Sequence, residues 1–277
     1  MLRWGPDNIC TTCAGKLKNQ GDGMIGILLA AALVGTALLI LMMVCKAFAD
    51  TVREDVLAFG EYPAGIDDLT IFFISDIHRR SIHDSIIFKA KGKADVVIIG
   101  GDLTEKGVPF SRVRENLKKL IEIAPVYFIW GNNDYEVDIQ KLGELFREFD
   151  VTVLKNKSVF LPAFDNQIVL IGTDYGDTIE SMQAILYSIK KSAFRIVLCH
   201  SPVLAEKVAE SDNVSLILSG HTHGGQIRMF GLGPYEKGGI KKYPWTTLLV
   251  SNGYGTSLLP LRLGAPAETH LLTVKKG

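Results

Sequence analysis

Apolar and polar positions follow two periods along this chain. From Leu69 onward, short apolar runs stop abruptly at Gly, Asp, Asn or His. Ile71–Ile74 runs into Ser75-Asp76-Ile77-His78, Asp95–Ile99 into Gly100-Gly101-Asp102, and Val126–Trp130 into Gly131-Asn132-Asn133-Asp134. Arg195–Cys199 runs into His200, and Ser215–Ser219 into Gly220-His221-Thr222-His223. Runs of this length read as strands buried on both faces. Between them the period becomes helical. Val113, Leu117, Leu120 and Ile121 follow Pro109; Ile139, Leu142, Phe146 and Phe149 form a second stripe; Ile179, Met182, Leu186 and Ile189 form a third. Each stripe predicts a helix packed on a sheet. Further strands are expected at 151–154, 158–161, 167–172, 226–230, 247–251 and 270–274. That is more than a doubly wound sheet needs, so two sheet layers with helices on their outer faces are expected.

One segment breaks this alternation. Met24–Cys45 is uncharged and rich in Leu, Ile and Ala, and about 20 apolar residues cross a bilayer as a helix. Ala47-Phe48-Ala49 resembles a signal-peptidase site, but signal cores are shorter, about 7–15 residues, so a retained single-pass anchor in the cell membrane is the expectation. Residues 1–23 read as a turn-rich tail, 46–68 as a juxtamembrane linker broken by Pro63 and Gly65, and 69–277 as the catalytic domain. Arg3, Lys16 and Lys18 against Lys46 and Arg53 favour the domain lying outside; a start at Met24 would reverse that balance and leaves the side open.

Charge and cysteine content exclude more than they specify. Thirty basic and thirty acidic residues cancel, which argues against binding nucleic acid by bulk phosphate neutralisation. Of Cys10, Cys13, Cys45 and Cys199, only Cys199 falls in the domain, so no disulfide framework holds it. Cys10 and Cys13 are half a zinc motif and read as free thiols.

Five strands thus deliver Asp76, His78, Asp102, Asn132, His200, His221 and His223, and sites in α/β sheets form beyond the carboxyl ends of strands. These are oxygen and imidazole donors. Cys199, next to His200 on a strand, faces the other way. The set suits Mn²⁺ first, with Fe, Zn²⁺ or Mg²⁺ as alternatives. Seven donors exceed what one ion with an open position uses, so two divalent ions about 3.5–4 Å apart are expected.

In order and spacing, Asp76-x-His78, Gly101-Asp102, Gly131-Asn132-x-Asp134, His200 and Gly220-His221-x-His223 resemble the calcineurin-type metallophosphoesterase family. The tail from Ser251 to Glu268 is similar to its bacterial membrane-associated, YkuE-like branch. The resemblance implies a four-layer α/β/β/α sandwich of two mixed sheets. It also implies hydrolysis of a phosphate ester by metal-activated water; Asn133 favours a phosphodiester or pyrophosphate with a good leaving group, and the membrane anchor favours a lipid-linked or envelope substrate. It assigns Asp76, His78, Asp102 and His223 to one metal, and Asn132, His200 and His221 to a second with Asp102 bridging. Asp102, Asn132 and His223 are the ligands on which catalysis is expected to turn. Asn133 stands where most members carry a His that assists the leaving group, and a carboxamide cannot deliver a proton.

Arg79 and Arg80, directly after the first block, are candidate phosphate contacts, with Asn133 a third substrate contact. His83 reads as a capping residue, His270 as structural, Asp134 as an orienting partner of a ligand, and Trp245 and Tyr254 as possible groove residues. The alternative function is a catalytically silent metal-binding scaffold at the membrane.

Overall fold

The computed structural model describes residues 11–176 and 178–277, with side chains from residue 24 onward. The expectations placed on residues 1–10, and on the side chains of Cys13, Lys16 and Lys18, lie outside the described residues.

The chain divides into residues 1–43 and residues 44–277. The first unit is built on helix α1 (Thr11–Ala47), whose last residues enter the second. Residues 11–23, expected as a turn-rich tail, continue this helix. Its Met24–Ala47 stretch has a mean hydropathy of 2.8 over its most apolar window, and apolar side chains such as Ile27, Leu33 and Leu38 stand exposed on it. Twenty-four residues at about 1.5 Å each span about 36 Å, enough for a bilayer core.

In the second unit, β1 (Val52–Phe59) comes first. It lies in the stretch expected to be a linker. Only Leu57 and Phe59 are buried on this edge strand, and the charges of Arg53, Glu54 and Asp55 in its exposed to half-buried first half mask it in the sequence. β2 (Leu69–Ile74), β3 (Val96–Ile99), β4 (Val126–Phe128) and β5 (Thr152–Val153) follow in parallel. β12 (Thr269–Lys276) inserts between β1 and β2, parallel to the first and antiparallel to the second, giving the order β1-β12-β2-β3-β4-β5. The second sheet comprises β6 (Lys157–Phe160), β7 (Ile168–Gly172), β8 (Phe194–Leu198), β9 (Leu216–Ser219), β10 (Gly239–Lys242) and β11 (Thr247–Val250), in the order β10-β11-β9-β8-β7-β6. Both sheets are mixed.

Strand alternation sorts the core. Leu69, Ile71 and Phe73 of β2 meet Ile196, Leu198, Leu216 and Leu218 of the second sheet, a dry layer between the sheets. Phe72 and Ile74 face the other way, toward helices α2 (Asp84–Ala90), α3 (Phe110–Leu120) and α4 (Ile139–Glu148). Val197 and Cys199 face helix α5 (Ile179–Ser188) on the far side. The result is the expected α/β/β/α sandwich. The strand expected at 226–230 is absent: Ile227 pairs singly with Leu263 and Gly264, Met229 with Leu232, and Phe230 turns into a positive φ of 50° that no strand permits.

Candidate metal centre

β2, β3 and β4 run parallel, as do β8 and β9, so their carboxyl ends deliver polar residues to one edge of the sandwich. Asp76 and His78 follow β2, Asp102 follows β3, Asn132 follows β4, His200 follows β8, and His221 and His223 follow β9. Two groups of donor atoms result. Those of Asp76, His78 and His223 lie within 4.8 Å of one another, as do those of Asp102, His200 and His221.

Asp102 joins the groups. Its Oδ2 lies 3.3 Å from His200 Nε2 and 3.7 Å from His78 Nε2. His200 donates its Nδ1 proton to the Gly100 carbonyl at 2.7 Å, so Nε2 is the nitrogen left to serve as a ligand. That buried nitrogen has no hydrogen-bond partner, and neither has the buried Oδ1 of Asn132. Buried polar atoms are normally paired; two unpaired ligand atoms among these residues are ones that divalent cations would satisfy. The donor chemistry and the unpaired atoms therefore both suit divalent ions.

The backbone is strained here. Asp76, His78, Asp102, His221 and His223 all have positive φ, between 49° and 70°. Left-handed non-glycine residues cost about 1–3 kcal/mol each and gather at functional sites. Gly131 permits a further close approach, since a Cβ there would fall onto the Asp102 carboxylate.

A polar shell holds the donors. Asp134 accepts the backbone N–H groups of Asp102, Gly131 and Thr104 at 2.8, 2.9 and 3.1 Å. Complete burial and the neighbouring Asp102 push its carboxyl up to about 7. Burial opposes charge on His200, but Asp102 outweighs it and brings the imidazole up to about 9. Burial drives His223 down to about 4. Ser75 donates to Asp76 at 2.5 Å.

Three partners carry no motif and escape a reading by spacing. Glu105 sets its carboxylate 2.9 Å from His78 Nδ1, leaving Nε2 to face inward. Arg262, fully buried, points Nη2 at His223 Nδ1 at 3.2 Å and also holds the carbonyls of His223, Gly253 and Ala265. A lone arginine in the apolar tail Leu258–Leu263 was its one visible signal. Tyr175 stands 5.9 and 5.7 Å from the rings of His200 and His221.

A cavity of about 370 Å³ opens over the donors, lined by Asp102, Asn132, Asn133, His221 and His223 with Tyr235 and Leu258. Asn133 faces it and also donates to both carboxylate oxygens of Asp102, at 2.8 Å from its backbone and 2.7 Å from its side chain. Arg79 is exposed, pairs with Glu105 and lines neighbouring cavities. Arg80 corrects the expectation of a phosphate contact. Its terminal nitrogens donate to the carbonyls of Ala47, Phe48, Ala49 and Tyr254 and to Asp50, and its guanidinium lies 3.6 Å from the centre of the Tyr254 ring. Tyr254 is thereby buried and lines no groove, and Trp245 is tied to the Val208 carbonyl. His83 caps α2, as expected.

Comparison with known proteins agrees with this geometry. Residues 69–225 match the family model described as calcineurin-like phosphoesterase. The chain is 45% identical over 239 residues to the uncharacterized protein YpbG of Bacillus subtilis, covering 84% of this chain and 92% of that one. It is 30% identical over 221 residues to the phosphodiesterase YaeI of Escherichia coli, covering 73% and 80%. A zebrafish (Danio rerio) transmembrane protein with a metallophosphoesterase domain is 28% identical over 273 residues, covering 88% of this chain and 62% of that protein.

Proposed function

The chain belongs to the calcineurin-like phosphoesterase family, and from that premise we propose that it is a single-pass membrane hydrolase that splits phosphodiester or pyrophosphate bonds with two divalent cations. The observation that carries the reading is Asp102 Oδ2, which stands between His78 Nε2 and His200 Nε2. Asp76, His78, Asp102 and His223 would hold one ion; Asn132, His200 and His221, with Asp102 shared, would hold the other. Two such ions supply positive charge for the phosphoryl oxygens and bring the pKa of a water toward neutrality.

The chain's own residues set the rest. Asn133 grips both oxygens of Asp102 and keeps the shared carboxylate in one orientation. Its carboxamide holds no proton to give to a departing alkoxide, so good leaving groups are favoured. The printed name of the Escherichia coli relative, a phosphodiesterase, supports the same substrate class. Anchoring by residues 24–47 is supported by their length and hydropathy, and by the transmembrane relative.

The test is turnover of an aryl phosphodiester by the full chain with Mn²⁺, together with metal analysis. Two ions per chain and turnover abolished in Asp102→Ala are the expected results. Two ions bound without turnover of any diester or pyrophosphate would make the protein a silent scaffold. Efficient hydrolysis of an alkyl monoester would overturn the role given to Asn133.

A further inference from the structure

Two apolar loops stand beside the metal cavity, their tips exposed among the described residues. In the first, Met229 and Leu232 exchange backbone hydrogen bonds of 2.9 Å around Phe230-Gly231. Both tip residues have positive φ, 50° and 83°. Hairpin turns with two positive φ values favour Asn-Gly or Asp-Gly. Here a phenylalanine takes the strained place and is 98% exposed. In the second loop Leu258 repeats the pattern, with φ 59° and 95% exposure. Neither residue serves the core, and each forces a bulky apolar side chain outward at a conformational cost.

The loops form one lip. The Gln226 carboxamide donates to the carbonyls of Ser257 and Leu259 at 3.0 Å and accepts from the Ser257 N–H at 2.9 Å. Ile227 pairs with Leu263. Leu258 lines the metal cavity on one side and, on the other, a larger cavity of about 720 Å³. Ala47 and Phe48, where the apolar helix ends and the chain leaves it, line that larger cavity too. Arg80 is taken up by Asp50 and backbone carbonyls, but Arg79 and Arg112 also line it and give its wall a basic edge that complements anionic headgroups.

We infer that this lip, with Met229, Phe230, Leu232, Leu258 and Leu259 at its crest, is seated in the surface of an anionic phospholipid bilayer, so that the metal cavity opens at the interface and draws an amphiphilic phosphate ester from it. Apolar side chains rimmed by arginine are the composition of interfacial binding. The inference rests on the proposal that residues 24–47 cross the same bilayer.

The test uses the full chain in nanodiscs of phosphatidylcholine and phosphatidylglycerol doped with lipids carrying a nitroxide near the headgroup. Cys10, Cys13 and Cys45 are first changed to serine; Cys199 is buried. An environment-sensitive fluorophore is then placed through Phe230→Cys or, as a control on exposed α5, through Tyr187→Cys. Retention of the chain at alkaline pH, with quenching at position 230 roughly threefold or more above that at 187, is the expected result. Retention with equal quenching at both positions overturns the lip alone. A blue shift at 230 without lipid quenching puts a protein surface there, such as a second copy, and also overturns it. Release of the chain at alkaline pH overturns the anchor, and the lip falls with it.

Discussion

His200 turns Nε2 to within 3.3 Å of Asp102 Oδ2, because its Nδ1 proton is committed to Gly100. That carboxylate raises the imidazole to about 9, and a divalent ion between the two would take the place of the proton. Loading with Mn²⁺ is therefore expected to stabilise the fold and chelation to reverse it. At 100-fold excess over Kd the gain is about 2.7 kcal/mol. That corresponds to about 5–10 °C in Tm for a domain of this size. Thermal unfolding with and without chelator measures it; an unchanged Tm would contradict a metal role for this pair.

Gly131 has no room for a methyl group beside Asp102. Gly131→Ala is expected to displace the shared carboxylate, lower the bound metal below two ions per chain and cut diester turnover by about 10²-fold. Gly143→Ala, on α4 with open space around it, serves as control and should leave both unchanged. Metal analysis and steady-state kinetics distinguish the two variants.

Glu105 fixes the orientation of His78 from outside the donor set. Glu105→Ala is expected to weaken metal binding by about 10–100-fold. Glu105→Gln, which still accepts from His78 Nδ1, should recover part of the loss. A competition titration against a metal-binding dye reads this directly.

His270 on β12 is buried with neither nitrogen hydrogen-bonded, Nε2 lying 3.6 Å from Glu268, and burial lowers it from 6.5 to about 4. An unfolded chain therefore takes up a proton that the folded chain refuses between those values. Stability from this group is complete above pH 6.5 and is lost as pH falls toward 4, by about 3 kcal/mol. His270→Phe should flatten that part of the pH–stability curve without lowering stability at pH 8, as denaturant unfolding across pH will show. Equal slopes in the two proteins would refute it.

The donors were readable because each follows directly on a strand whose apolar run fixes where it ends. Asp76 and His200 are 124 positions apart in the sequence, yet both announce themselves by that grammar. Their supports were not readable. Glu105 reaches His78, and Arg262 reaches His223, through loop geometry that no periodicity encodes. β1 stayed hidden because the first half of this edge strand is exposed enough to carry Arg53, Glu54 and Asp55. Arg80 misled for the opposite reason: an arginine beside a ligand block suits phosphate equally well, and only the fold turns it toward the carbonyls of residues 47–49.

β12 lies between β1 and β2, yet it is made after every other strand. While the chain is being translated, the first sheet therefore exists as two separated parts, and the strand that carries Asp76 lacks one neighbour. The sheet edge that presents Asp76 is therefore completed only once residues 269–276 have been made.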